Sequence, residues 1–399
     1  MSHFTVGLGI TAGISAYKIL YFASLLRKND YKIIPILTKD SLNFITPLSL
    51  QSICDNRVYF NQFELVENYN PEHIAIAREC DLIVVAPATA DFISKMASGA
   101  ADELLLSVIL SFKKKVIVVP AMNPAMYNHK ATRRNLEQIE RYGYKVIGPV
   151  EGWSACGDFG KGRMVEPEDI FYYIEEERGR IQGRLKNKKV LLTSGPTIEF
   201  IDSMRYISNL SSGFMGKFIA EELIREGALV EIISGPVKIS YPSVCLVTKI
   251  SSAIEMFNQV KKRIANNDCF VAAAAVSDYR PEIKEKIKLP KKDSIDIKLI
   301  KNPDILEWVS KNYFKKKFIV GFSATSNLKE SPHQKLKNKP VDLLVVNPVG
   351  VKGKGPGEEI NDAIIYDTNA NILKELDSLP KKEIARHLVE MIINKSMSP

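Results

Sequence analysis

Three polar side chains lie outside the apolar runs of the first half of the chain: His73 in "NPEHIAIAREC", Asn123 in "PAMNPAMYNH" and Cys156 in "GWSACGDFGKGRM". Cys156 sits among four glycines, and its nearest fellow cysteines are Cys80 and Cys245. A free thiol, with a reference pKa of about 8.5, is mostly protonated at pH 7 and can donate a proton. The Asn123 amide can hold a carboxylate through its N–H₂ group. Pro120 and Pro124 stiffen that loop, while Met122 and Met126 offer an apolar wall. His73, just after Pro71, falls in the first turn of an expected helix, where an isolated histidine reads as a surface or capping residue.

The second half offers a different set. Ser211, Ser212, Gly213 and Gly216 in "NLSSGFMG" precede an amphipathic pattern, as a phosphate cradle or a plain helix cap. The spacing is not that of a Walker A loop, and no G-K-[ST] is present. "AAAAVSDYRPEIKEKIKL" (272–289) carries Asp278 and opens a run of seven lysines between 284 and 301. A lysine–phosphate contact at about 4 Å is worth about 4 kcal/mol at an effective dielectric near 20. One or two ordered lysines could therefore dominate triphosphate binding while the others solvate a surface.

Strand-length apolar runs alternate with helical patterns around these groups. In the first half the strands are expected at 4–10, 31–37, 81–87, 115–121 and 145–148, with helices near 13–28, 71–79, 90–112 and 129–142. In the second they are expected at 190–195, 229–235, 269–275, 318–324 and 341–347. Continuous Val/Ile runs joined by helices indicate a parallel sheet covered on both faces. The fold class expected is α/β, two tandem Rossmann-like domains with mainly parallel sheets. The charged stretch "EEERGRIQGRLKNKK" (175–189) places the boundary near 183, giving domains 1–183 and 184–399. "DLIVVAPATAD" (81–91) and "DCFVAAAAVSD" (268–278) both run from Asp through a strand to Asp, and ligands in such folds collect at carboxyl ends of strands.

"GLGITAGISAYK" (7–18) reads as a strand, a glycine-bearing loop and a helix start, which suits a phosphate. Thr38 closes the second strand where a dinucleotide site would place an acidic residue, so a mononucleotide phosphate fits better than NAD.

Composition narrows the classes. With 399 residues and a net charge of +9, the chain has an ordinary soluble composition, and no apolar run reaches the ~20 residues of a membrane span. No signal peptide is evident at the N-terminus, so a cytoplasmic location is expected. Five cysteines without a C-x-x-C pair support neither a disulfide framework nor a zinc site. The positive charge fits anionic small substrates; no basic stripe interleaved with aromatics marks a nucleic-acid partner.

The segments "GITAGISAYK", "HIAIARECDLIVVAPATADF", "PAMNPAMYNH" and "ACGDFGKGRM" resemble the flavin-dependent cysteine decarboxylases over about 4–170. The resemblance implies FMN held by Gly13, Ser15, Thr38, Ala88, Thr89 and Met122. It implies His73 as base, Asn123 holding the substrate carboxylate, and Cys156 on a lid with Arg163, protonating the ene-thiolate left by decarboxylation. FMN would oxidise the substrate's thiol to a thioaldehyde, the electron sink that loss of CO₂ requires. Thr11-Ala12 stands where relatives have Ser-Gly, with the hydroxyl retained.

"TSGPT", "RYISNLSSG", "AAAVSDY", "KIK" and "KNPDI" resemble the phosphopantothenate–cysteine ligase domain over about 188–395. The whole chain then resembles the bifunctional enzymes of coenzyme A biosynthesis. Asn209 would hold the acyl-cytidylate, Lys286 would meet the triphosphate and Arg205 would shape the active-site loop. Ala274, Asp278, Pro303, Asp304, Ile305, Leu306, Phe322, Lys335 and Lys339 would line the CTP site. Mg²⁺ would offset phosphate charge, with metal-holding residues unknown. Ser277, Thr325 and Pro348 depart from the ligase pattern. Relatives of the first half form trimers and those of the second form dimers, so the resemblance implies a homo-oligomer, a dodecamer. Two alternatives stay open: a decarboxylase of another cysteine-ended substrate with an inactive second half, and a non-catalytic regulatory subunit.

Overall fold

In the computed structural model of the chain, the described residues are 3–63, 71–291, 293–326, 332–349 and 358–396; Lys292 of the lysine run lies outside them. They form two compact units, Met1–Ile174 and Glu175–Pro399.

In the first unit, β1 (Thr5–Ile10), β2 (Lys32–Leu37), β3 (Leu82–Ala88), β4 (Val116–Pro120) and β5 (Lys145–Val146) make one parallel sheet in the order β2-β1-β3-β4-β5. Helices α1 (Tyr17–Lys28), α2 (Pro47–Cys54), α3 (Glu72–Glu79), α4 (Ala90–Ser98), α5 (Leu104–Ser111), α6 (Pro124–Asn128) and α7 (Lys130–Arg141) flank it. The strands are apolar throughout because both faces are covered: Leu8, Val84 and Ile117 pack into one core, Ile83, Val85 and Val118 into the other. The helix expected over 90–112 is two helices, broken at Gly99, whose φ of 74° ends α4 in the left-handed region. The loop carrying Cys156 is a hairpin, β6 (Val150–Trp153) and β7 (Phe159–Arg163), followed by α8 (Pro167–Gln182).

The second unit holds β8 (Lys189–Ser194), β9 (Ile198–Phe200), β10 (Tyr206–Ser208), β11 (Leu229–Ser234), β12 (Leu246–Lys249), β13 (Cys269–Ala272), β14 (Tyr279–Pro281), β15 (Leu299–Lys301), β16 (Phe318–Thr325), β17 (Leu343–Pro348), β18 (Ile360–Asp367) and β19 (Ile372–Pro380). Its helices are α9 (Phe214–Arg225), α10 (Ala253–Arg263), α11 (Ile305–Tyr313), α12 (His333–Asn338) and α13 (Lys381–Ser396). Eight strands form the main sheet in the order β12-β11-β8-β13-β16-β17-β18-β19. Pairing is parallel as far as β17; β18 and β19 add an antiparallel edge that no buried apolar run announces. Both units are thus α/β with mainly parallel sheets.

The two Asp-led strands share a structural device. The Asp81 carboxylate accepts from Thr5 N (3.0 Å) and that of Asp268 from Lys189 N (2.8 Å), each closing the start of the neighbouring strand. Asp342 does the same for Ile319 N at 2.7 Å. The leading aspartates therefore serve pairing, and it is the far, carboxyl ends of β3 and β13 that open onto cavities.

Candidate active sites

At the carboxyl edge of the first sheet lies a cavity of about 490 Å³, within the range of about 300–1,000 Å³ of small-molecule sites. Its lining includes Gly13, Ser15, Lys18, Thr89, Met122, Asn123, Cys156 and Arg163. Asn123 lies three residues beyond the end of β4, and its Oδ1 accepts from Ala125 N at 2.8 Å, capping α6. That bond fixes the amide with its N–H₂ facing the hairpin, where Nδ2 donates to Asp158 Oδ2 at 2.5 Å. Cys156, exposed, sits in the hairpin turn above.

The cavity's charge comes from a pairing that sequence reading missed. Lys18 Nζ meets both oxygens of Glu166, at 2.9 and 2.8 Å, and Arg163 Nη2 reaches Oε1 at 2.5 Å. Burial alone would raise the Glu166 carboxyl, but Lys18 and then Arg163 outweigh it and hold it below the usual range. Two cations thus share one carboxylate at the cavity wall.

The same edge fits a flavin mononucleotide on three observations. The Thr38 hydroxyl, at the end of β2, is buried without a hydrogen-bond partner. The short helical turn Ile14–Ala16 and α1 start beside the cavity with no side-chain cap and no acidic residue in the first turn. The Thr11 hydroxyl donates to Pro87 O (2.8 Å) and accepts from Thr89 N (3.1 Å), tying the β1 and β3 loops together. Gly7 and Gly9 instead serve packing: a Cβ would meet Cys80 Sγ at 2.8 Å and Leu105 Cδ1 at 2.7 Å. Ala88 is fully buried and, like Thr38, does not line the cavity.

His73 lies in the first turn of α3, half-buried, and is not among the cavity's lining residues. One chain brings Asn123 and Cys156 together and leaves His73 apart. Four large apolar side chains at the cavity, Ile14, Tyr17, Met126 and Trp153, are at least half exposed.

The second unit opens at the carboxyl edge in two adjoining cavities. One, about 720 Å³, is lined by Asn209, Ala274, Asp278, Leu306, Phe322, Lys335 and Lys339. The other, about 150 Å³, is lined by Ser211, Ser212, Gly213, Gly216, Ala274, Phe322 and the buried Lys381, which sequence reading did not single out. Asn209 Nδ2 donates to Val276 O at 2.9 Å, and Lys335 Nζ donates to Ser323 Oγ at 2.7 Å. Asp304 caps α11 and pairs with Lys339. Of 303–306 only Leu306 lines a cavity; Ile305 belongs to the core.

Lys286 stands exposed on its loop and lines neither cavity. The loop is nevertheless anchored on both sides of it: Glu285 N donates to Ile201 O (2.9 Å) and Leu289 N to Asp202 Oδ2 (3.1 Å). Arg205 Nη1 donates to Asp202 Oδ2 at 3.1 Å and to Leu289 O at 3.4 Å. Asp202, fully buried, is the hub that the sequence did not reveal. The backbone N–H of Arg205, helped by those of Met204 and Leu289, holds its carboxyl below the usual range against the opposite pull of burial. Among the described residues, no three His, Cys, Asp or Glu side chains are grouped to hold a metal ion, and no helix is long and apolar enough to cross a membrane.

Two α/β units, each with cavities at the carboxyl edge of its sheet, define a two-domain α/β protein with a ligand site in each unit. Residues 1–179 match the Flavoprotein family, and residues 185–396 match the DNA/pantothenate metabolism flavoprotein C-terminal domain. The coenzyme A biosynthesis bifunctional protein CoaBC of Borreliella burgdorferi is 36% identical over 389 residues, covering 96% of this chain and 98% of the relative. That of Haemophilus influenzae is 38% identical over 390 residues, covering 97% and 96%. A solved C-terminal domain of a CoaBC protein is 30% identical, with a TM-score of 0.46, covering 54% of this chain and 98% of the domain. The chain belongs to the family of bifunctional coenzyme A biosynthesis proteins. It is an enzyme with decarboxylase and ligase activities, and the alternative of an inactive second half is not favoured.

Proposed function

We propose that the second unit joins 4′-phosphopantothenate to L-cysteine at the expense of CTP, through an acyl-CMP intermediate. The first unit, with FMN, then decarboxylates the phosphopantothenoylcysteine to 4′-phosphopantetheine in the cytoplasm. The observation that carries this reading is the single cavity lined by an amide, a thiol and two cations. Bound FMN would supply a reversible two-electron oxidation of the substrate's thiol.

The chain's own residues do the rest. Gly13, Ser15, Thr38, Ala88, Thr89 and Met122 are the proposed FMN contacts, with the orphaned Thr38 hydroxyl as donor to a phosphate or ribityl oxygen. Lys18 and Arg163 attract the phosphorylated substrate. The Asn123 N–H₂ orients its carboxylate. Breaking the Cα–CO₂ bond leaves the electron pair on the substrate, and the Cys156 thiol supplies the proton to that carbon. The resulting thiolate regains its proton from water.

His73 acts as base from a neighbouring copy of the chain in the homo-oligomer. This is supported by its separation from Asn123 and Cys156 within one chain, and by the exposed apolar side chains that a second copy would cover. Mixing an inactive H73N variant with an inactive C156S variant under subunit exchange restores decarboxylation; no recovery places all three groups in one chain.

In the second unit, Asn209, Ala274, Asp278, Phe322, Lys335 and Lys339 hold CTP and the acyl-CMP, while Pro303, Asp304, Ile305 and Leu306 form the supporting wall. Lys286 swings from its anchored loop onto the triphosphate, and Arg205 braces that loop. Mg²⁺ is carried in by the triphosphate, which suits a site whose described residues include no preformed carboxylate cluster.

Two measurements on the full chain test the reading. The purified protein should carry a flavin spectrum that bleaches reversibly on adding the cysteine conjugate. Pyrophosphate release beyond one per site should require CTP, cysteine and phosphopantothenate together, because cysteine clears the acyl-CMP. Colourless protein that binds no added FMN, or multiple-turnover pyrophosphate release indifferent to cysteine, overturns the corresponding half.

A further inference from the structure

The Asn123 amide already holds a carboxylate, and it is the chain's own. Its Oδ1 is committed to Ala125 N at 2.8 Å, so only Nδ2 is left to meet an acceptor, and the acceptor there is Asp158 Oδ2 at 2.5 Å. Asp158 is also the residue through which the hairpin turn is built. Its N–H donates to Ser154 Oγ at 3.1 Å, its carbonyl accepts from Ser154 N at 2.8 Å, and Gly157 N closes onto Ser154 O at 3.1 Å. Cys156 sits inside this turn. Trp153 and Phe159 pack edge to face across its neck, with ring centroids 5.4 Å apart.

We propose that Asp158 is a positioning residue: its carboxylate latches the hairpin onto Asn123, is displaced by the substrate's carboxylate, and returns when that carboxylate leaves as CO₂. The inference rests on the reading that Asn123 binds the substrate carboxylate. Two carboxylates on one nitrogen repel, so the two compete. Displacement lifts the turn and admits substrate. Loss of CO₂ vacates the amide, Asp158 re-docks, and the turn lowers Cys156 over the carbon that needs its proton. One carboxyl–amide contact thereby couples the breaking of the carbon–carbon bond to the approach of the acid.

A latch occupied nine-tenths of the time weakens substrate binding about tenfold. In W308F holoenzyme, Trp153 is the only tryptophan left of the two in the chain, and its emission reports the hairpin. D158A should shift that emission with no ligand present. It should tighten binding of the serine-ended substrate analogue, which keeps the carboxylate but lacks the thiol, by about 3- to 10-fold. Affinity for 4′-phosphopantetheine, which has no carboxylate to compete, should stay unchanged. In turnover both KM and kcat should fall, the second because Cys156 is no longer returned. D158N, which keeps a neutral acceptor, should lie between wild type and D158A on emission, analogue affinity, KM and kcat, the four readouts that D158A moves.

Equal changes in affinity for the two ligands would show a merely structural Asp158 and overturn the latch. If N123A abolishes the preference for the acid while D158A leaves it untouched, the latch alone falls. If N123A leaves that preference unchanged, the reading of Asn123 falls first.

Discussion

Asn123 uses the two ends of its amide differently, Oδ1 for capping α6 and Nδ2 for facing the hairpin. Asp caps a helix as well as Asn does, so N123D separates the two roles. In a D158A background, where no carboxylate faces position 123, its thermal stability should change by no more than about 0.5 kcal/mol. Its decarboxylation should fall by about 10²-fold, since a charged hydrogen bond of about 2–3 kcal/mol is replaced by repulsion. A matched loss of stability and activity would instead make the cap the whole story. The thiols divide as sharply. Burial pushes Cys54, Cys80 and Cys245 up to about 12 and Cys269 higher still, whereas Cys156 is exposed. Iodoacetamide at pH 8 should therefore label one cysteine per native chain, and none in C156S, as read by intact mass. Cys156 and Asn123 were legible in the sequence because unusual residues in polar loops stand out locally. The Lys18–Glu166 pair spans 148 positions, and no local pattern signals it.

At the scale of elements, the hairpin rests on a glycine. A Cβ on Gly162 would overlap the Met122 carbonyl and press on Pro124 N at 3.1 Å, so β7 lies directly on the loop that carries Asn123. G162A should push the hairpin off, lowering decarboxylation by tenfold or more while pyrophosphate release in the second unit continues, both measured on one preparation. In the second unit the β9–β10 turn and the lysine loop are joined through Asp202. Its folded carboxyl lies below the unfolded value of about 3.9, so its stabilisation is complete above that value and is lost as pH falls through the lower folded one. The thermal midpoint of the second unit should thus decline below about pH 4, and D202N should be destabilised at pH 7 with a flatter acid limb. An unchanged pH profile in D202N would remove Asp202 as the hub. The elements themselves were legible where both faces are buried, as in β1, β3, β8 and β13. The edge strands β18 and β19 were not: β19 is exposed along much of its length and offers no apolar run.

At the scale of the molecule, each unit has its own cores: Leu8, Phe22 and Val85 belong to the first, Leu192, Phe270 and Val345 to the second. Calorimetry should resolve two unfolding transitions, with FMN raising one and CTP with Mg²⁺ the other. Ligand at a hundred times its Kd adds about 2.7 kcal/mol to the unit that binds it. Both ligands raising a single shared transition would mean the units unfold as one.

Order, period and polarity along the chain were enough to establish two α/β units, the strands that bury both faces and the loops bearing Cys156, Asn123 and Asp278. These are local properties, since a strand covered on both sides must be apolar along its whole length. Which loops become neighbours depends on strand order, and strand order is settled by packing between segments far apart in sequence. Packing set Asp158 against Asn123, gathered Lys18 and Arg163 on Glu166, hung the lysine loop from Asp202 and left His73 outside the cavity of its own chain.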